Sequence, residues 1–220
     1  MTGFFIMANF SFTADSDPYK NNPLNEKSVD PDPFWQFSLW FRDAVDSGVS
    51  EPDAMFLATA GDQGIPSGRI VLLKGFDPGG FLFFTNYNSR KGSEIAKNPF
   101  VTVVFHWKEM DRQVRITGKA EKISGSESDE YFFSRPLESR ISAIISAQST
   151  VIPGRSHIEK KYDEMKLSLT GKGPERPENW GGFRIIPATF EFWQSRPHRL
   201  HDRIQYRLVK EKWIIERLAP

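Results

Sequence analysis

The stretch Arg69 to Lys91, RIVLLKGFDPGGFLFFTNYNSRK, decides how the rest of the chain is read. Two apolar runs flank Asp77-Pro78-Gly79-Gly80, the pattern of two strands joined by a Gly/Pro turn. The second run leads to Ser89, a fair N-cap, and a short helix to Lys97 that Asn98-Pro99 stops. Arg90 and Lys91 then occupy the first helical turn, with no acid before Glu94. Cations there are disfavoured by about 0.3–1 kcal/mol each. They become favourable once an anion binds, because free N–H groups, dipole and side chains converge on it. Phosphate suits such a seat. The alternative is two solvated cations on a surface turn.

At 220 residues the chain has room for a substantial core. Its net charge of +1 argues for neither a nucleic acid nor an anionic membrane as partner. Aromatic content is 14%, with 19 Phe and 6 Trp, which suits a β-rich core or a large interface. The absence of cysteine excludes disulfides, thiolate nucleophiles and Cys-ligated metals. The run Phe4-Phe5-Ile6-Met7 is too short for a signal-peptide core, and no stretch approaches the ~20 apolar residues of a membrane span. A soluble, cytoplasmic protein is expected.

Residues 1–30 read as a mobile polar arm, and residues 31–220 as one domain. Asp32 caps a helix with Pro33 at its first position, and Phe34, Phe37, Trp40, Phe41, Ala44 and Val45 repeat at helical spacing. Strands are expected over 54–60, 69–74, 100–107, 112–123, 183–186, 189–193, 204–209 and 213–218, with helices over 126–134, 139–147 and 156–169. Hairpin connections predominate, so the pattern predicts a mainly β fold, an antiparallel barrel with peripheral helices.

Tyr131 and Arg135 share a helix face, and Ser139 follows across Pro136; hydroxyls and guanidinium together make a second anion clamp. The bland reading is a buried Tyr and a surface Arg. Gln148-Ser149 offers an amide and a hydroxyl. Trp193 to Arg203, WQSRPHRLHDR, is the densest polar run. Its arginines and histidines would repel a dication, so no metal is expected. The chain lacks G-x-S-x-G, a P-loop and G-x-G-x-x-G. Two basic clusters with many aromatics suit an enzyme whose cofactor does the chemistry.

RIVLLK (69–74), FFTNYNSRK (83–91), RQVRITGKAE (112–121), YFFSRP (131–136), AQS (147–149), WGGFR (180–184), EFWQ (191–194), RLHDR (199–203) and the terminal ERLAP resemble the pyridoxine/pyridoxamine 5′-phosphate oxidases from about Asp32 to Pro220. The resemblance implies a homodimeric FMN-binding split β-barrel with flavin sites at the subunit interface. It implies oxidation of pyridoxine or pyridoxamine 5′-phosphate to pyridoxal 5′-phosphate, with O2 reduced to H2O2. FMN would contact Arg69, Ile70, Val71, Leu72, Leu73 and Lys74, then Phe84, Thr85, Arg90, Lys91, Gln113, Gln148, Ser149, Trp193 and Arg203. Substrate would contact Lys74, Tyr131, Arg135 and Ser139 through its phosphate, and Arg199 and His201, the catalytic pair, at its ring. Arg69 and Lys74 are an odd number apart, so a regular strand would turn them to opposite faces unless it bends. Departures from the family pattern are Phe84 in place of a frequent Tyr, Ser142-Ala143-Ile144 in place of Gly-Ala-Trp, and Ser16-Asp17 in place of a basic pair. A flavin oxidase acting on another substrate, such as a phenazine precursor, and a non-catalytic flavin- or pyridoxal-phosphate-binding module are the competing readings.

Overall fold

The computed structural model describes residues 6–7 (backbone only), 23–169 and 173–220. In chain order the elements are β1 (Ile6–Met7), α1 (Pro33–Asp46), β2 (Ala54–Ala60), β3 (Pro66–Leu72), β4 (Gly75–Asp77), β5 (Gly80–Asn86), α2 (Arg90–Lys97), β6 (Phe100–Trp107), β7 (Arg112–Lys122), α3 (Gly125–Ser134), α4 (Leu137–Ile145), α5 (Arg155–Ser168), β8 (Trp180–Gln194), β9 (Asp202–Val209) and β10 (Lys212–Arg217). The strands form one sheet in the order β1-β4-β5-β8-β7-β6-β2-β3, with β9 and β10 continuing from the far part of β8. Every described pairing is antiparallel except that of β1 with β4. Although distant in this order, β3 and β5 come into contact, so the sheet curls into a barrel with a seam between them.

The aromatic stripe of α1 fills the barrel. Asp32 caps the helix by accepting a hydrogen bond from Phe34 N at 2.9 Å, with Pro33 in the first turn as its fixed φ favours. Phe37 and Trp40 are completely buried. Phe37 meets Phe76 and Phe81 edge-on, each at 4.9 Å, and Trp40 meets Phe192 at 5.2 Å. Each such ring removed from water contributes roughly 1.5–3 kcal/mol. An ion pair crosses this core: Arg112 Nη1 donates to Asp43 Oδ2 at 2.7 Å, and the guanidinium lies 4.4 Å from the Trp40 ring centroid.

Two strands differ from the sequence reading, and in both cases the strand changes partner. The strand expected over 69–74 ends at Leu72, where pairing with β2 stops. Leu73 N then donates to Asp53 O and Lys74 N to Leu82 O, and β4 follows on β5. The chain therefore bends between Arg69 and Lys74. Conversely, the two strands expected over 183–186 and 189–193 are one continuous β8. It pairs with β5 through Ile185 and with β9 from Thr189, so Pro187, which has no N–H to give, falls where that edge is unpaired. On the other edge the register shifts between Thr117 and Gly118 of β7, opposite which β8 carries one extra residue, Ala188. Only glycine fits there, since a Cβ on Gly118 would lie 2.1 Å from Ile186 O.

Residues 1–5 and 8–22 of the expected arm, Ser16-Asp17 among them, lie outside the described residues. Residues 23–30 are tied down. Leu24 is buried, its N–H donates to Asp202 Oδ2 at 3.2 Å, and Tyr206 Oη donates to Asp30 O at 2.6 Å.

Candidate active site

The seam between β3 and β5 opens into a cavity of about 430 Å³. Ile70, Val71 and Leu72 form one wall, with Lys74 just beyond the bend; Phe84, Thr85 and Asn86 form the other. The Lys74 ammonium is paired with Asp53 at 3.1 Å.

Lys91 enters from α2. Ser89 Oγ accepts from Gly92 N at 3.3 Å, and Gly92 is pressed against residue 87 so closely that a Cβ would lie 2.2 Å from Tyr87 O. The first turn is thereby fixed, with Lys91 pointing into the cavity. Its Nζ donates to Thr85 Oγ1 at 3.2 Å and Gln148 Oε1 at 3.3 Å, both neutral oxygens. Among the described residues no carboxylate pairs with it. Burial lowers the Lys91 pKa, and the positive charge of Arg69 lowers it further. Such a cation gains from an anionic ligand.

The cavity floor is aromatic. Phe84 stacks on Tyr131 at 3.8 Å and on Trp180 at 5.6 Å, and the Arg135 guanidinium sits 4.6 Å from the Trp180 centroid. Arg135 Nη1 is buried with no hydrogen-bond partner. Burial lowers the Arg135 pKa and raises that of Tyr131, while their mutual interaction opposes each shift. An unpaired buried donor costs about 1–3 kcal/mol, and a ligand oxygen would recover it.

A second cluster lies on the outer face of the sheet. Across four strands His106, Gln113, Trp193 and Arg203 stand in register, one opposite the next. Arg203 Nε donates to the buried Glu191 at 2.9 Å and its Nη1 to Ala219 O at 2.8 Å; Arg115 holds the other Glu191 oxygen. The His201 ring lies 4.7 Å from Trp193. Arg196 N donates to His201 Nδ1 at 3.1 Å, so a neutral ring carries its proton on Nε2. His198 and Arg199 have φ of 59° and 61°, a strained left-handed pair that turns the exposed Arg199 outward.

Of the residues expected from the sequence, Ile70, Val71, Leu72, Lys74, Phe84, Thr85, Lys91, Tyr131, Arg135 and Gln148 meet at the cavity. Gln113, Trp193, Arg199, His201 and Arg203 belong to the second cluster. Trp180 and Trp193 are 13 residues apart on β8, roughly 40 Å at about 3.3 Å per residue. None of the second-cluster residues lines the cavity of the same protomer. Leu73 is fully buried in the core, Ser139 is half-buried off the cavity wall, and Ser149 is exposed in a left-handed turn. Arg69 and Arg90 both turn to Glu94, at 3.4 Å and 2.9 Å, on the far side of α2. Sequence reasoning gave no site role to Asn86, Ser142, Ser146 and Trp180, which line the cavity, nor to Asp53, Glu94 and Glu191, which hold Lys74, the Arg69–Arg90 pair and Arg203 respectively. Trp180 stands in the WGGFR motif, whose paired glycines were the available signal: a Cβ on Gly181 would lie 2.2 Å from Tyr87 Oη, so the structure packs tightly there. Among the described residues no group of three His, Asp or Glu could hold a metal, and no helix is long and apolar enough to cross a membrane.

Comparison with known proteins places this geometry in context. A family model described as pyridoxamine 5′-phosphate oxidase matches residues 41–168, and one for the pyridoxine 5′-phosphate oxidase C-terminal dimerisation region matches 180–220. The pyridoxine/pyridoxamine 5′-phosphate oxidase of Cupriavidus taiwanensis is 52% identical over 203 residues, 92% of this chain and 95% of its own length. The protein of that name from a Nostoc species is 50% identical with the same coverage. Among solved structures, PhzG from Burkholderia lata, in complex with tetrahydrophenazine-1-carboxylic acid, aligns with a TM-score of 0.83 at 28% identity over 93% of this chain and 97% of that one. A pyridoxamine 5′-phosphate oxidase-related FMN-binding protein from Nostoc punctiforme shares the fold, with a TM-score of 0.71 at 17% identity over 87% of this chain and 100% of its own.

Proposed function

The chain belongs to the pyridoxine/pyridoxamine 5′-phosphate oxidase family, and on that premise we propose that it is an FMN-dependent oxidase converting pyridoxamine 5′-phosphate or pyridoxine 5′-phosphate to pyridoxal 5′-phosphate, with O2 reduced to H2O2. The observation that carries the reading is the pairing of two under-satisfied cations, Lys91 and Arg135, with an aromatic floor in one cavity. Two phosphorylated rings need such a set of groups: separate cationic anchors with flat apolar surface between them.

The separation of the two clusters on β8 supports a homodimer in which each site takes its cavity from one protomer and the Trp193–Arg203 face from the other. The match of residues 180–220 to a dimerisation region agrees with that assembly. Lys91, Thr85 and Gln148 would hold the FMN phosphate. Arg135 and Tyr131, with Lys74, would hold the substrate phosphate. Anchoring of this kind converts binding energy into position. Arg199 and His201, contributed by the partner subunit, would orient the substrate ring, with His201 fixed by its Nδ1 contact so that Nε2–H faces outward. Bound FMN would supply the two-electron oxidation at the carbon bearing the amine or alcohol and pass the electrons to O2.

The likeness to PhzG favours one second reading, a split-barrel flavin oxidase acting on a phenazine precursor. An anaerobic absorption spectrum of the purified protein tests both. Bleaching of the flavin band by pyridoxamine 5′-phosphate, with peroxide formed on readmitting O2, is expected. Bleaching by a dihydrophenazine carboxylic acid alone would favour the second reading, and protein that stays colourless after FMN supplementation would defeat both.

A further inference from the structure

At the corner of the barrel where β2, β3 and α2 meet, Arg69 and Arg90 share one carboxylate, Glu94, beside Lys91, while Lys97 pairs separately with Asp62 at 3.7 Å. Successive positions of α2 send Lys91 into the main cavity and Arg90 to the outer side, toward a smaller groove. Glu94 lies one turn on, four residues from Arg90. Its Oε2 accepts from Thr59 and Ser67, each at 2.5 Å, and from Arg69 Nη2 at 3.4 Å; its Oε1 accepts from Arg90 Nε at 2.9 Å. Arg69 is fastened further by Thr59 Oγ1, Ser67 Oγ and the Leu57 carbonyl. Burial pushes the Glu94 carboxyl up, but these donors outweigh it and hold it at about 2. Arg69 still reaches Lys91 electrostatically, since its charge helps lower the lysine.

We propose that Glu94 is a built-in competitor for the cofactor's phosphate: it holds Arg69 and Arg90 as their standing counter-ion and thereby weakens phosphate binding at Lys91. The inference rests on the reading that the FMN phosphate sits at Lys91. A dianion there must either draw the arginines away from Glu94 or share them with a fixed negative charge behind them. Both outcomes cost affinity. Lys91 alone then provides uncompensated positive charge. Glu94 acts through Arg69 and Arg90 and does not touch the reacting groups, so it is a positioning residue that sets retention of the cofactor.

Glu94→Gln keeps the shape of the side chain and its ability to bond Thr59 and Ser67 while removing the charge. Fluorescence titrations of the full-length wild type, E94Q and E94D with FMN and with riboflavin, which lacks the phosphate, test the idea. E94Q is expected to lower the Kd for FMN about five- to tenfold, the effect of relieving two partly exposed ion pairs. The gain should shrink as ionic strength rises. Riboflavin affinity should stay within about twofold in every variant, and E94D, which keeps the charge, should retain wild-type FMN affinity. An unchanged or weaker FMN Kd in E94Q overturns the proposal, as does an equal shift for riboflavin. If E94Q does not melt cooperatively, tightening by E94D overturns it. Wild type that fails to bind FMN at all would instead defeat the cofactor reading on which the inference rests.

Discussion

Arg135→Met separates what the cavity does from what holds the fold together. The guanidinium is half-buried, stacks 4.6 Å from Trp180, and carries Nη1 in a buried position without a partner. Two opposing quantities set the effect on stability. Losing the cation–π contact costs about 0.5–2 kcal/mol, and removing the unsatisfied donor returns about 1–3 kcal/mol. Methionine also keeps most of the apolar stem in place. The variant should therefore melt within about 3 °C of wild type, since 1 kcal/mol moves a chain of this size by about 2–4 °C. Function should respond very differently. A charge-assisted bond to a phosphate oxygen is worth about 1.5–3 kcal/mol, so kcat/KM for pyridoxamine 5′-phosphate should fall about 10- to 150-fold. Pyridoxamine, without the phosphate, should be used equally poorly by both proteins. Thermal melts and steady-state peroxide assays with the two substrates supply the readouts. A melting point lowered by more than about 6 °C, or an equal loss with both substrates, would refute the assignment of Arg135 as an anchor kept at the expense of a satisfied core.

Three other outcomes follow from the packing. Asp43→Ala removes from the buried Arg112 the carboxylate it bonds at 2.7 Å and should cost about 3–5 kcal/mol, whereas Asp43→Leu with Arg112→Met should recover most of it; chemical denaturation measures both. Glu94 is held at about 2, below its ordinary 4.5, so its contribution of about 1–2 kcal/mol, discounted for solvent screening, is fully present above pH 4.5 and is lost as pH falls towards 2. The stability gap between wild type and E94Q should accordingly narrow through that window in melts at stepped pH. Gly118→Ala drives a methyl group to 2.1 Å from Ile186 O, and should lower the melting point by the equivalent of about 1–3 kcal/mol as the β7–β8 bulge is forced open.

Where the chain announces its own structure, the signal is local. The Asp32-Pro33 start of α1 and its stripe of Phe37, Trp40 and Phe41 needed only helical spacing and cap chemistry, and the Ser89 cap of α2 likewise. Alternation along Phe100–Trp107 and Arg112–Lys122 gave β6 and β7 for the same reason. The departures lie where a strand exchanges one neighbour for another. Nothing in RIVLLK shows that Leu72 is the last residue bonded to β2 and that Lys74 N already donates to Leu82 O. Pro187 looks like a terminator in sequence, yet it falls in the one gap where β8 has left β5 and not yet met β9.

The site divides in the same way. Lys91, Tyr131 and Arg135 were readable because each sits in a short motif whose backbone fixes its direction, a capped first turn or a helix end before proline. The fate of Arg90 was not readable. It neighbours Lys91 in sequence, but about 100° of helical rotation points it away from the cavity, and Glu94 at i+4 then takes its charge. Arg69 follows it because Thr59 and Ser67, facing each other across β2 and β3, place their hydroxyls around the same carboxylate. Counting cations in FFTNYNSRK therefore overstates the positive charge offered to a ligand. What matters is the number left over after the nearest acid is satisfied, and that number depends on strand register.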